Sequence, residues 1–160
     1  MLFWKANAEV ARFRTVLAIA VFLPLVAFVW LSVTSAANRN LNRGSDENEV
    51  ARGKYLVEEV AKCTECHTPR DAQGNLLTHE WLRGAPIWIM PVRPIPNWAD
   101  TAPPLAGLPS LTESQVATVL EKGTGPEGEV LRPPMHIYHM RHADAQAIIA
   151  YLKSLPVTEH

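Results

Sequence analysis

Hydrophobic and polar positions divide the chain into unlike parts. No charged residue falls between Thr15 and Asn38, and Val16 to Val33 is almost wholly apolar. A helix of that length rises about 27 Å, close to the roughly 30 Å hydrocarbon core of a bilayer. Pro24 lies inside the run, which a membrane helix tolerates, and Trp30 with Phe28 suits an interfacial position. The alternative is a cleaved signal segment ending at the small residues Ser35-Ala36-Ala37. The apolar run is longer than the about 7–15 residues of a signal core, and the basic stretch before it is also long, so a retained anchor over residues 1–37 is favoured. Residues 38–44 are polar and aperiodic and read as a linker, spanning only about 15 Å on average.

Beyond the linker the pattern turns helical in three places. Residues 45–61 open with Ser45 as N-cap and place Asp46, Glu47 and Glu49 at the positive end of the dipole. Val50, Gly53, Val57 and Val60 then form one stripe. Residues 112–122 begin with Thr112 and Gln115 at capping-box spacing, pack Val116, Val119 and Leu120, and stop at Gly123. Residues 143–155 place Ala145, Ile148, Ile149 and Leu152 on one face and stop at Pro156. Residues 76–110 have no period. Seven prolines fall there with Trp81, Trp88 and Trp98, which predicts extended loop rather than helix. A loop that long suits a compact domain only if it wraps something large and apolar.

Composition narrows the picture. A chain of 160 residues allows one domain. The net charge of −1 and the lack of any Lys/Arg run argue against a nucleic-acid partner. Charge is uneven, however: residues 1–44 carry +4 and residues 45–160 carry −5. Two cysteines, Cys63 and Cys66, are too few for a disulfide-rich scaffold.

Those cysteines carry the strongest signal. Cys63-Thr64-Glu65-Cys66-His67 has the CxxCH spacing of covalent haem c attachment. Two thiols separated by two residues at a helix end reach the two vinyl groups along one porphyrin edge. Each thiol adds across a vinyl to give a thioether, and His67 follows at once as an iron ligand. A thioredoxin-like pair would need strand–helix alternation around it, and a zinc site would need four ligands. Neither context is present.

With that motif in place, RGKYLVEEVAKCTECHTPR (Arg52–Arg70), LRPPMHIYHM (Leu131–Met140) and DAQAIIAYLKSLP (Asp144–Pro156) together resemble the class I cytochrome c family, nearest to the modules of bacterial respiratory chains and dehydrogenase complexes. The resemblance implies an all-α domain over residues 45–160, wrapped around one haem c and preceded by a single transmembrane helix. It implies a close crossing of the first and last helices at Gly53, against Tyr151 or Leu152. It also implies a proline carbonyl that accepts the Nδ1–H of His67, with Pro96, Pro103 and Pro104 as candidates. Arg141 and His142 stand where the family often caps the last helix with Thr or Ser, and Asp144 is the partial compensation.

For the second axial ligand, Met90, Met135, Met140, His79, His136, His139, His142 and His160 are available. Met135 is the choice. It is separated from His67 by a domain's length of chain, follows the extended Pro133-Pro134 pair, and matches the family's distal ligand. The family pattern RPPMPxY carries His136 here in place of the proline after the methionine, which sets a rival beside Met135. One tryptophan, or Arg70, Arg83 or Arg93, is expected to bind a propionate, the tryptophans otherwise packing in the core.

The functional expectation is an electron carrier, not an enzyme, cycling Fe(II)/Fe(III) with His67 and Met135 kept as ligands. A haem-based sensor or a peroxidase would need an open or displaceable sixth position. Covalent haem attachment places the domain on the periplasmic side of the bacterial cytoplasmic membrane. The expected partners are redox proteins of a membrane complex, respiratory, photosynthetic or a dehydrogenase, with no small-molecule substrate. The short linker favours a fixed or closely docked subunit over a shuttle. The negative domain charge suggests a partner with a basic docking patch.

Overall fold

The computed structural model describes residues 46–157. The candidate span at 16–33, the linker, Ser45 and His160 lie outside the described residues. Within them, no helix is long and apolar enough to cross a membrane.

Four helices and one short strand pair make up the domain. Helix α1 covers residues 46–55 and runs on into a π-helical turn, Leu56–Val60. Helix α2 is the single turn Thr64–His67. A 3-10 turn at Thr78–Glu80 precedes strand β1, Ala85–Pro86, which pairs antiparallel with β2, Thr101–Ala102. Helices α3, Glu113–Lys122, and α4, His142–Ser154, complete it. The regular structure of the domain is therefore mostly helical, but not purely α. The stretch 76–110, expected to lack regular structure, contains the 3-10 turn and the strand pair because its ends are drawn together there.

The helix-forming residues behave largely as their spacing predicts. At α3, Thr112 accepts from the Gln115 N–H while the Gln115 side chain accepts from the Thr112 N–H, a complete capping box. Gly123 ends the helix at φ 70. At α4, Arg141 is the N-cap and forms no side-chain cap bond. Asp144 in the first turn instead pairs with Arg52 of α1 and with Arg141. One expected stripe position departs: Val60 is exposed. The Ala61 N–H bonds to the Leu56 carbonyl at 2.8 Å, so the last turn holds an extra residue and carries Val60 off the buried face.

The core forms where α1, α3 and α4 meet Leu82 and Ala106. Val57, Leu82 and Ala145 are fully buried, and Ile148, Ile149 and Leu152 nearly so. Helices α1 and α4 touch at Gly53, whose absent side chain leaves room for the Ala147 carbonyl and the Tyr151 Cβ. Tyr151 was one of the two expected neighbours; Ala147, the other neighbour found, lies one helical turn before it.

Candidate functional site

The site begins where the π turn ends. Lys62 adopts φ 53, in the left-handed region, and reverses the chain so that the Cys63 N–H bonds to the Val57 carbonyl at 2.9 Å. The His67 N–H then bonds to the Cys63 carbonyl at 3.0 Å. One helical turn thus spans the whole motif and sets the two thiols three residues apart on one face. Burial pushes the Cys63 thiol up to about 11 and raises that of Cys66 as well, so both are held as thiols.

His67 is almost fully buried. Its Nδ1 lies 2.7 Å from the Pro103 carbonyl oxygen. A carbonyl can only accept, so Nδ1 carries the proton and Nε2 is the free nitrogen. Burial also lowers the pKa of the imidazole, despite the opposing pull of Pro103, which keeps the ring neutral. Pro103 directly follows β2. Pairing of Ala85 with Ala102, the Gly84 N–H on the His67 carbonyl at 2.8 Å, and the Leu105 N–H on the Leu82 carbonyl at 2.8 Å together hold it in place.

Cys63, Cys66, His67 and Met135 all line one cavity of about 550 Å³. Its other walls include Ile87, Leu105, Leu111, Val116, Leu120, Ile148 and Leu152. Of the described methionines, Met90 is exposed and Met140 packs against the core, whereas Met135 reaches the cavity. Of the described histidines beyond His67, only His136 lines it. The His136 ring stands edge-on to Tyr138, centroids 4.8 Å apart. His142 pairs with Glu121 at 2.8 Å, and His79 is exposed near Glu80. Pro133-Pro134 was expected to be extended. The pair instead lies in a turn in which the Met135 N–H bonds to the Arg132 carbonyl at 3.1 Å.

Sequence reasoning missed Tyr138. It lines the cavity and its hydroxyl donates to the Ala61 carbonyl at 3.0 Å, tying the Met135 segment to the turn before Cys63. Burial pushes its phenol up to about 12. The signal was its place as the final tyrosine of the RPPMPxY pattern, three residues after Met135. Glu58 was missed too. Trp81 Nε1 donates to its carboxylate at 3.2 Å, and so do the Tyr151 hydroxyl and Lys54.

The three tryptophans, expected to pack in the core, do three different things. Trp81 packs against the core and bonds Glu58. Trp88 is exposed, donates to the Glu65 carbonyl at 3.0 Å, and lies under the Arg70 guanidinium at 4.6 Å. The Trp98 Nε1 is buried with no partner among the described residues. The Arg70 terminal amines bond Glu65 and the Gly74 carbonyl at 2.6 Å, while its Nε, like Trp98 Nε1, is buried with no partner among the described residues.

This arrangement fits a covalently held haem. The cavity is largely apolar, two thiols and a free imidazole nitrogen border it, and a thioether sulfur reaches it. The family model for cytochrome c matches residues 50–156, which spans everything just described. The chain belongs to the cytochrome c family. A cytochrome c domain implies covalent haem c and electron transfer. This cytochrome is 32% identical over 114 residues to the fructose dehydrogenase cytochrome subunit of Gluconobacter japonicus, a match covering 66% of this chain and 22% of that protein. It is 33% identical over 120 residues to the cytochrome c subunit of alcohol dehydrogenase (quinone) from Gluconacetobacter polyoxogenes, covering 68% and 25%. A diheme cytochrome c-type protein of Cereibacter sphaeroides is 31% identical over 117 residues, covering 69% and 37%. The matched region of this cytochrome spans between about a fifth and two fifths of the length of these relatives.

Proposed function

We propose that this cytochrome carries one electron at a time on a single haem c, as an anchored subunit docked to an oxidoreductase complex on the periplasmic face of a bacterial cytoplasmic membrane. The haem supplies a one-electron iron couple; the protein binds it, fixes its ligands and sets its surroundings. Cys63 and Cys66 provide the two thioether tethers. His67 would hold the iron through Nε2 as one axial ligand, and the Pro103 carbonyl fixes that tautomer and would make the ring a stronger donor. Met135 offers its sulfur as the other. Two neutral ligands and apolar walls disfavour extra positive charge, which favours the reduced state and a positive potential. With His67 and Met135 both holding the iron, no open ligand position would remain for a substrate, as a carrier requires. Trp98 Nε1, buried and unpartnered beside the wall residue Ala99, is the donor proposed for a propionate.

The observation that carries this reading is the convergence of Cys63, Cys66, His67 and Met135 on one cavity. A count of one haem is supported by the single CxxCH of this sequence. The subunit role is supported by the relatives named as cytochrome subunits of fructose and alcohol dehydrogenases, and by the short linker. The anchor and the periplasmic placement rest on the apolar run and on the site of haem attachment. Mass spectrometry of the peptide containing Cys63–His67 tests attachment: haem on both thiols is the expected result, and two free thiols refute it. Solubilisation of the native membrane in mild detergent tests the assembly: the subunit role predicts co-purification with larger subunits at fixed stoichiometry, and a free monomer refutes it.

A further inference from the structure

The segment between β1 and β2 leaves the cavity wall at Ile87 and rejoins it at Ala99. In between it exposes large apolar side chains: Trp88 at 58%, Met90 at 83%, Val92 at 102% and Ile95 at 44% of full exposure. Elsewhere among the described residues, no stretch of ten residues exposes more than two such side chains. Scattered apolar surface is ordinary, but a cluster of this kind marks a place of contact. Pro91, Pro94 and Pro96 stiffen the backbone, so little order remains to be lost on binding.

Both legs of this excursion are fastened to the site. The Trp88 indole N–H donates to the carbonyl of Glu65, which lies between the two cysteines, and Arg70 stacks over the ring. On the returning leg Arg132 donates to the Asn97 carbonyl at 3.3 Å and the Trp98 carbonyl at 3.1 Å, and the Ala99 N–H bonds to the Pro133 carbonyl at 2.6 Å. The exposed apolar surface is thus continuous with the turn bearing the thioether tethers and with the segment bearing Met135.

Charge selects the occupant. From Trp81 to Ala99 there is no Asp or Glu, and the only charged residues are Arg83 and Arg93. Arg93 is exposed. The surrounding domain is acidic, at −5 over residues 45–160. We infer that the excursion over residues 88–97 is the docking element for the redox partner, and that the partner presents an apolar patch edged by carboxylates. This inference rests on the electron-carrier reading above and gives that site its partner. It also reverses the sign of partner charge that composition alone suggests, because docking is governed by the local patch rather than by the net charge. A lipid surface would also meet apolar and basic side chains, but Trp88 bonds directly to Glu65 of the haem-attachment motif, which favours an occupant that exchanges electrons.

The test uses the full chain in intact native cells. The haem is oxidised by an oxygen pulse and re-reduced by endogenous metabolism, and both rates are followed optically. Val92→Asp and Arg93→Glu are compared with Arg93→Lys and with Val157→Asp, a charge placed at an exposed apolar position away from the excursion. Reduction by added dithionite shows in each variant that the haem is bound and redox-active, which separates failure of docking from failure of the carrier reading. The inference predicts that Val92→Asp and Arg93→Glu slow at least one of the two rates about tenfold or more, the scale of one lost interfacial contact of hot-spot size. Arg93→Lys and Val157→Asp stay within about twofold of wild type, well short of that scale. Unchanged rates in Val92→Asp and Arg93→Glu overturn it. A photo-crosslinking residue at position 92 gives a second readout: an adduct with lipid, or none with protein, also overturns it.

Discussion

Replacing Gly53 by alanine isolates the contact on which the helix crossing depends. A Cβ built at Gly53 would stand 1.8 Å from the Ala147 oxygen, 2.6 Å from its carbonyl carbon and 2.8 Å from the Tyr151 Cβ. Real Cβ contacts essentially never fall under 3.0 Å, so the closest of these must open from 1.8 Å to beyond 3.0 Å. Two of the three atoms are α4 backbone, so no side chain can swing clear, and α4 must move as a body. Ile148 and Leu152 move with it, and both are nearly fully buried and line the cavity. Overpacking of a core costs about 1–3 kcal/mol, and a backbone clash belongs at the upper end. Alanine returns up to about 1 kcal/mol through helix propensity. The expected net loss is about 2 kcal/mol, with Gly53→Val losing more. Guanidinium unfolding of the holoprotein in detergent, followed by haem absorbance, reads this as a lower midpoint at unchanged slope. A Gly53→Ala midpoint within about 0.5 kcal/mol of wild type, the scale of an unremarkable surface change, would refute the reasoning.

Met135→Ala is expected to let the reduced protein bind carbon monoxide at neutral pH while wild type does not. Carbon monoxide binding by wild type would remove Met135 as the ligand. Tyr138→Phe strips the Ala61 carbonyl of its donor and is expected to lower stability by about 1–2 kcal/mol; an unchanged denaturation midpoint would count against the tie between the two segments. For Glu58, burial raises the pKa, but hydrogen bonds from Lys54 and Tyr151 outweigh it and leave the carboxyl below its usual range. Its folded value therefore lies below its unfolded one. The stabilisation is complete above an unfolded pKa of about 4.3 and is lost as pH falls through the folded value. Glu58→Gln should flatten that acid limb, and an acid profile as steep as wild type would show that Glu58 contributes nothing to it. Thr112→Ala removes a capping-box acceptor and should cost about 1 kcal/mol in thermal or chemical unfolding.

What the sequence made legible was local. The CxxCH turn, the capping box at Thr112 and the αL stop at Gly123 are each written in a few neighbouring residues, and each appears where those residues predict. The Gly53 crossing was legible only through family resemblance, which named Tyr151 but not Ala147, one turn before it. What stayed hidden depends on distant chain meeting. Pro96, Pro103 and Pro104 look alike along the sequence, and only the pairing of β1 with β2 brings the Pro103 carbonyl to His67. The Glu58 cluster joins α1 to Trp81 and Tyr151, far apart in sequence, so no window of residues reveals it. The π turn escaped because its cause is the reversal at Lys62, a residue type that rarely takes positive φ. Trp88 was assigned to the core on residue type alone; its contacts with Glu65 and Arg70 hold it at the surface instead.

The acceptor for the His67 ring is a main-chain oxygen, and that has a consequence for how this protein can change. Every residue type carries a carbonyl, so no single substitution at position 103 deletes the acceptor. Drift in side chains there leaves the imidazole's tautomer and donor strength intact, while an insertion or deletion between Gly84 and Pro103 would move the oxygen itself. The electronic character of the proximal ligand is thus buffered against point mutation and open to adjustment through loop length.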